Sequence, residues 1–177
     1  MLSRSLLLAL AGVTALPACR STTENSSSPP LSVGNPAYRS ILFAPLLELD
    51  GRWRLKGTED WIEFDASSSG TALREVMFPG QPHEMTNMYT LDGDSIVMTH
   101  YCAVGNQPRM RADVIGDGQL VFQFDGITDL GTETEEYMGE MTLVWTGEDR
   151  LEQHWRSFQA GKRHPESDMS FELVREE

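Results

Sequence analysis

Four side chains near the middle of the chain have the chemistry of a site: His83, Met85, His100 and Cys102. Two imidazoles, a thioether and a thiol make a soft donor set of the kind that holds copper(I) or zinc. The other chemistry they offer is a thiol–imidazole pair, in which a base activates a cysteine for nucleophilic attack. His100 and Cys102 stand two residues apart on one extended segment, roughly 7 Å along the backbone, too far to pair with each other. A partner from a neighbouring strand is required, and His83 is the candidate. Asn87 and Tyr89 fall in the same alternation and add polar groups able to orient a bound molecule.

What these residues meet depends on one turn. Asp92-Gly93 is a strong hairpin signal. If those two residues form the turn, Tyr89 faces Ile96, Asn87 faces Met98, Met85 faces His100 and His83 faces Cys102. All four donors then share one face. A three-residue bulged turn over Leu91 to Gly93 instead sets His100 against Glu84 and sends His83 to the other face. The first pairing makes a metal cluster and the second a histidine–carboxylate pair. Ile96, Met98, His100 and Cys102 form the more apolar face of their strand, which places them inside.

The strands that position these groups follow a period of two, with turn signals every eight to twelve residues or so, the pattern of an all-β chain. Strands are expected near 52–57, 61–66, 72–78, 83–91, 95–102, 109–115, 119–125, 139–146, 151–158 and 168–175. The links are short, so neighbours in sequence are antiparallel neighbours in space. A meander of this length must close to protect its edges, which predicts an antiparallel up-and-down β-barrel of about eight to ten strands. The long link from Gly126 to Met138 carries Asp129, Glu133, Glu135 and Glu136 and is expected to fold over one mouth as an acidic flap. Met85, Met98, Phe122, Phe124, Met141 and Leu143 supply an adaptable apolar lining.

Other polar residues read as surface. Arg109 and Arg111 alternate with Met110 and Ala112 and mark an outer face; pointed inward, they would hold a ligand carboxylate. His154 is read as surface beside a core Trp155, and His164 lies in a polar loop. The remaining carboxylates fall mostly on turns or at outward-phased positions. No serine elbow, phosphate loop or dinucleotide fingerprint occurs. No cofactor is implied.

The first residues give an address. A single Arg4 and an apolar run from Leu6 to Leu16 form a secretion signal, shorter than the roughly 20 residues of a membrane-spanning helix. Leu16-Pro17-Ala18-Cys19 resembles the bacterial lipobox, with proline where a small residue is usual. The resemblance implies a signal peptide over 1–18, lipid attachment at Cys19 and a flexible tether over 19–36 rich in Ser, Thr and Pro. Residues 37–177 then form the barrel domain, with the apolar SILFAPLLEL stretch lying against it as a short helix or turn. Arg20 is not the aspartate that retains such proteins in the inner membrane, so the outer membrane, periplasmic side, is the expected location. Cys102 is the one cysteine left in the domain, which excludes an internal disulfide. A formal charge of -13 speaks against nucleic acid or an anionic bilayer surface as partner.

Gly51-Arg52-Trp53 at the start of the first strand resembles the Gly-x-Trp that opens lipocalin and related calycin barrels. Arg175, in the last strand, fits the arginine that packs over that tryptophan and closes the seam between first and last strands. The stretches Phe78-Pro79-Gly80, His83-Glu84-Met85, Thr99-His100-Tyr101-Cys102 and Gly105-Asn106-Gln107-Pro108 resemble an uncharacterised group of bacterial secreted lipocalin-like proteins. These likenesses imply the barrel fold and leave function open; a closed barrel of this size with an adaptable apolar lining is expected to be a monomeric, membrane-tethered module that holds a small apolar or amphipathic molecule in its interior, oriented by His83, Asn87, Tyr89, His100 and Cys102. Two alternatives stand beside it: a metal or thiol–histidine centre at His83, His100 and Cys102, and a barrel plugged by its own side chains that serves as an envelope interaction module.

Overall fold

The computed structural model describes residues 32–34, 36–113 and 115–176; the expected signal segment, Cys19 and most of the expected tether lie outside them. The strands are β1 Gly51–Leu55, β2 Trp61–Ser67, β3 Ala72–Met77, β4 Met85–Asp92, β5 Ser95–Tyr101, β6 Gln107–Ala112, β7 Ile115–Gly116, β8 Gln119–Thr128, β9 Glu136–Gly147, β10 Arg150–Gln159, β11 Lys162–Arg163 and β12 Met169–Arg175. Two of these, β7 and β11, are two-residue extensions of neighbouring hairpins. The other ten pair antiparallel with their neighbours, and β12 returns to β1, closing a ten-strand up-and-down barrel. Each wall follows the pleat: on β5, Ile96, Met98 and His100 are buried while Val97 and Thr99 are partly exposed. Closure pairs each strand on both sides along most of the wall, so backbone polar groups there find partners in the ladders.

The β4–β5 turn sits one step later than the sequence signal placed it. Asp92 pairs with Ser95, leaving Gly93 and Asp94 as the two turn residues. Gly93 has φ +66°, the positive value that a type II′ hairpin turn reserves for glycine in its first position. Tyr89 therefore faces Met98 and Asn87 faces His100. Neither expected pairing of His100, with Met85 or with Glu84, occurs. Because the slip from the first register is two residues, every side chain keeps its face.

One end of the barrel is closed by the segment before β1. Residues 36–47 wind through irregular helical turns, with a π-type stretch at Arg39–Phe43 just ahead of Pro45, whose nitrogen cannot donate to the helix. Leu42, Phe43, Leu46 and Leu49 of this segment are buried. Trp53, 1% exposed, packs at the same end and donates from Nε1 to the Leu49 carbonyl at 2.8 Å. The Arg175 guanidinium lies 4.4 Å from the Trp53 ring centre and donates to the carbonyls of Asp50 and Glu48. Trp53 and Arg175 are also directly opposed across the β1–β12 seam.

The opposite end carries the loops 78–84, 102–106, 129–135 and 160–168. The acidic link is shorter than expected, because β8 runs on to Thr128 and β9 starts at Glu136. The β8–β9 ladder stops at Gln123–Glu140, and beyond it β8 continues against β6 alone while β9 continues against β10. Side chains join the parted strands: the Phe124 and Tyr137 rings lie 5.3 Å apart, and Asn106 reaches Glu135 and the Glu136 carbonyl. Phe124, expected in the lining, is 44% exposed at this rim, because the wall that would cover it has ended.

The middle of the barrel is filled. Met98, Met110, Phe122, Met141, Leu143 and Tyr89 are all 0% exposed. A side chain with no surface reachable by a water-sized sphere borders no void of that size, so the expected central ligand cavity is absent around these residues. Removing the largest plug should be costly: Trp53→Ala is expected to lower the unfolding free energy by about 3–5 kcal/mol in chemical denaturation.

Candidate functional site

A line of polar side chains crosses this apolar filling, centred on Glu75, which is 0% exposed. Glu75 belongs to the inward phase of β3 with Leu73 and Met77. Its Oε2 accepts from Tyr89 Oη at 2.5 Å and from Asn87 Nδ2 at 2.8 Å. Its Oε1 accepts from Gln153 Nε2 at 2.7 Å, which links β3 to β10 across the lumen. Gln153 in turn accepts from Trp155 Nε1 at 3.1 Å. Burial pushes the Glu75 carboxyl above its ordinary range, against the pull of the three donors. The Tyr89 phenol is raised well above its usual value by burial and by the neighbouring carboxyl, so it remains a donor.

His100 ends this line. Its Nδ1 lies 2.7 Å from Asn87 Oδ1. Asn87 turns its amide nitrogen to Glu75, so its oxygen faces the imidazole and His100 must donate from Nδ1. The tautomer is thereby fixed, with a bare lone pair on Nε2. That nitrogen is buried and has no hydrogen-bond partner among the described residues. The ring is 2% exposed and packs 4.9 Å from Trp155, and burial pulls its pKa down to about 4, so it is neutral at pH 7. A neutral imidazole held by a hydrogen bond at Nδ1 keeps a lone pair on Nε2 that can accept a further hydrogen bond.

Directly outward along the same face lie Cys102 and Asn106, opposed in the turn that leaves β5. Cys102 is partly buried, and burial raises its thiol pKa. It begins the turn rather than ending the strand, since β5 stops at Tyr101. Asn106 is fully buried, and its Oδ1, like His100 Nε2, has no partner. A small pocket of about 150 Å³ opens here, lined by Cys102, Val104, Glu136, Tyr137 and Met138.

His83 is elsewhere. The turn after Phe78 extends through Glu84, held by backbone bonds from Gln81 to Phe78 and from Glu84 to Gln81 and by Gly80 N–H donating to the Glu84 carboxylate. Strand β4 therefore begins at Met85, and His83 sits exposed on the Phe78 ring at 4.8 Å. The structure brings Asn87, Tyr89 and His100 together, sets Cys102 two residues outward, and leaves His83 apart. Among the described residues no group of three or more His, Cys, Asp and Glu side chains is placed to hold a metal. Arg109 and Arg111 lie on the outer wall and pair with Asp125 and Asp92. His164 stands 3.9 Å from Glu136.

Glu75 and Gln153 were missing from the sequence reading. Their signal is phase: a carboxylate between Leu73 and Met77, and an amide between Leu151 and Trp155, each at the inward step of an apolar alternation. The chain matches no protein-family model and no curated protein.

Two outcomes follow from this geometry. Tyr89→Phe removes one donor from a buried carboxyl and is expected to cost roughly 1.5–3 kcal/mol in chemical denaturation. His100 gives stability a pH slope. Its pKa is 6.5 when unfolded and about 4 in the fold, so the unfolded chain binds the extra proton between those values. The stability it contributes is complete above pH 6.5 and is lost as the pH falls toward 4, by roughly 3 kcal/mol. Glu75 acts in the opposite sense, its contribution fading as pH rises from 4.5 through its raised value. Comparison of wild type with His100→Gln across this range isolates the histidine: the variant loses the acid-side slope.

Proposed function

We propose that the protein is a membrane-tethered binding module of the lipocalin-like kind, and that its ligand sits at the loop end of the barrel against His100. The observation that carries this reading is the buried His100 Nε2, held in a fixed tautomer and left without a partner. An unmatched buried acceptor costs on the order of 1–3 kcal/mol, which a ligand donor would recover. The ligand class follows from the surroundings: a small molecule with one N–H or O–H donor on an apolar body. A pocket of about 150 Å³ beside Cys102 and Met138 is the size that takes a benzene-like ring. Met85 and Met138, 8% and 9% exposed, face inward at this end, and their flexible thioethers can shift to let the donor reach the imidazole.

The likeness of Leu16-Pro17-Ala18-Cys19 to a lipobox supports the tether and a place in the bacterial envelope, and Gly51-Arg52-Trp53 with Arg175 supports the lipocalin-like kinship. The side chain of Ser32 packs by the Gly93 turn at the closed end. The filled lumen favours a second reading, a plugged barrel acting as an interaction module in the envelope.

The two readings differ in a calorimetric titration of the domain with phenol and with indole, paired with native mass spectrometry of the full-length protein extracted from membranes. Ligand binding predicts saturable uptake of at least one probe that His100→Phe abolishes, or a co-purified small molecule that the variant lacks. No uptake and no co-purified molecule would leave the interaction module as the surviving reading.

A further inference from the structure

The outer wall of the barrel carries a separate constellation on β10 and β12. His154 and Ser170 are directly opposed across the antiparallel ladder, a placement that brings their side chains together on the solvent face. Glu152 stands two residues before His154 on the same face. His154 Nδ1 lies 3.0 Å from Ser170 Oγ, and His154 Nε2 lies 3.1 Å from Glu152 Oε2. The Glu152 carboxylate accepts only, so Nε2 carries the proton and Nδ1 turns its lone pair to the Ser170 hydroxyl, which donates. Nucleophile, base and orienting carboxylate are thus each within hydrogen-bond reach of the next. All three line one open pocket of about 470 Å³, together with Lys56, Gly57 and Phe171.

We propose that Ser170, His154 and Glu152 form a hydrolytic site on the barrel's outer wall that acts on small acyl esters. Ser170 Oγ attacks the ester carbonyl carbon while its proton passes to His154 Nδ1. The carbon–alkoxy bond breaks, and the alkoxide leaves with that proton as an alcohol. Water then attacks the acyl-serine, giving its proton to His154. The carboxylic acid departs as Ser170 Oγ takes the proton back. Glu152 is a positioning residue: it holds the Nε2–H tautomer and offsets the imidazolium charge. Lys56, ion-paired with Glu172 at the pocket wall, supplies positive charge for the oxyanion that develops in each addition.

The test uses the full chain and p-nitrophenyl acetate as probe. Acid quenching followed by peptide mass mapping is expected to find one acetyl group on Ser170. Ser170→Ala and His154→Gln should each slow turnover on the order of 100-fold, the scale of a positioned general base. Glu152→Gln should lower kcat with KM unchanged, which loss of local structure would not do. Acetyl found on other residues, or Ser170→Ala turning over as fast as wild type, overturns the proposal. If Ser170→Ala does not fold, Ser170→Cys keeps a nucleophile in place: an acetylated thiol sustains the proposal and a folded, unacetylated one overturns it.

Discussion

A carboxyl group with no access to water sits in the middle of this barrel, and much of the interior is arranged to satisfy it. Glu75 needs donors on both oxygens, and they come from β4 and from the far wall, as Tyr89, Asn87 and Gln153. Each bond constrains the next. Once Asn87 spends its amide protons on Glu75 and the Met77 sulfur, its oxygen has one direction left, and that direction fixes which nitrogen of His100 carries hydrogen. Once Gln153 donates to Glu75, its oxygen is free to take the Trp155 indole. A network of this kind specifies the interior more tightly than apolar packing does, since a half-satisfied version would be worse than none.

The two ends of the barrel divide the work. At the closed end the helical turns of 36–47, Trp53 and Arg175 form a permanent stopper, in which the indole lies under a guanidinium, has its N–H bonded and is 1% exposed. At the other end the polar line finishes on an imidazole nitrogen with nothing to bind, near a second unmatched acceptor on Asn106. Unpaired polar atoms are rare in a folded interior. Among the described residues, two of the three, His100 Nε2 and Asn106 Oδ1, lie at the end where β8 and β9 part, and the third is Trp61 Nε1.

The architecture was legible because it rests on short-range rules. Turn chemistry and a period of two located all ten barrel strands, and the polar–apolar alternation of β5 put His100 on the inward face. What failed was finer. Asp92-Gly93 and Gly93-Asp94 are both acceptable turns, and sequence alone does not choose between registers two residues apart, so the partner of His100 shifted from Met85 to Asn87. His83 was read as strand because nothing in Pro79-Gly80-Gln81-Pro82 announces that the turn continues to Glu84. Glu75 was dismissed with the other carboxylates, although its phase between Leu73 and Met77 already pointed inward. The filled lumen was illegible for a different reason: a pattern gives the face of each side chain, and whether those faces meet depends on barrel radius and volume.

The central claim is that the Glu75–Asn87 line holds His100 neutral, protonated at Nδ1 and bare at Nε2. The most direct measurement is the imidazole ¹⁵N spectrum of histidine-labelled protein at pH 7, with the His100→Gln variant to assign the signals. The account predicts one histidine with a protonated Nδ1 coupled to its hydrogen and a pyridine-type Nε2, unchanged as the pH is lowered through 6. A His100 that is protonated on both nitrogens at pH 7, or that carries its hydrogen on Nε2, would contradict it.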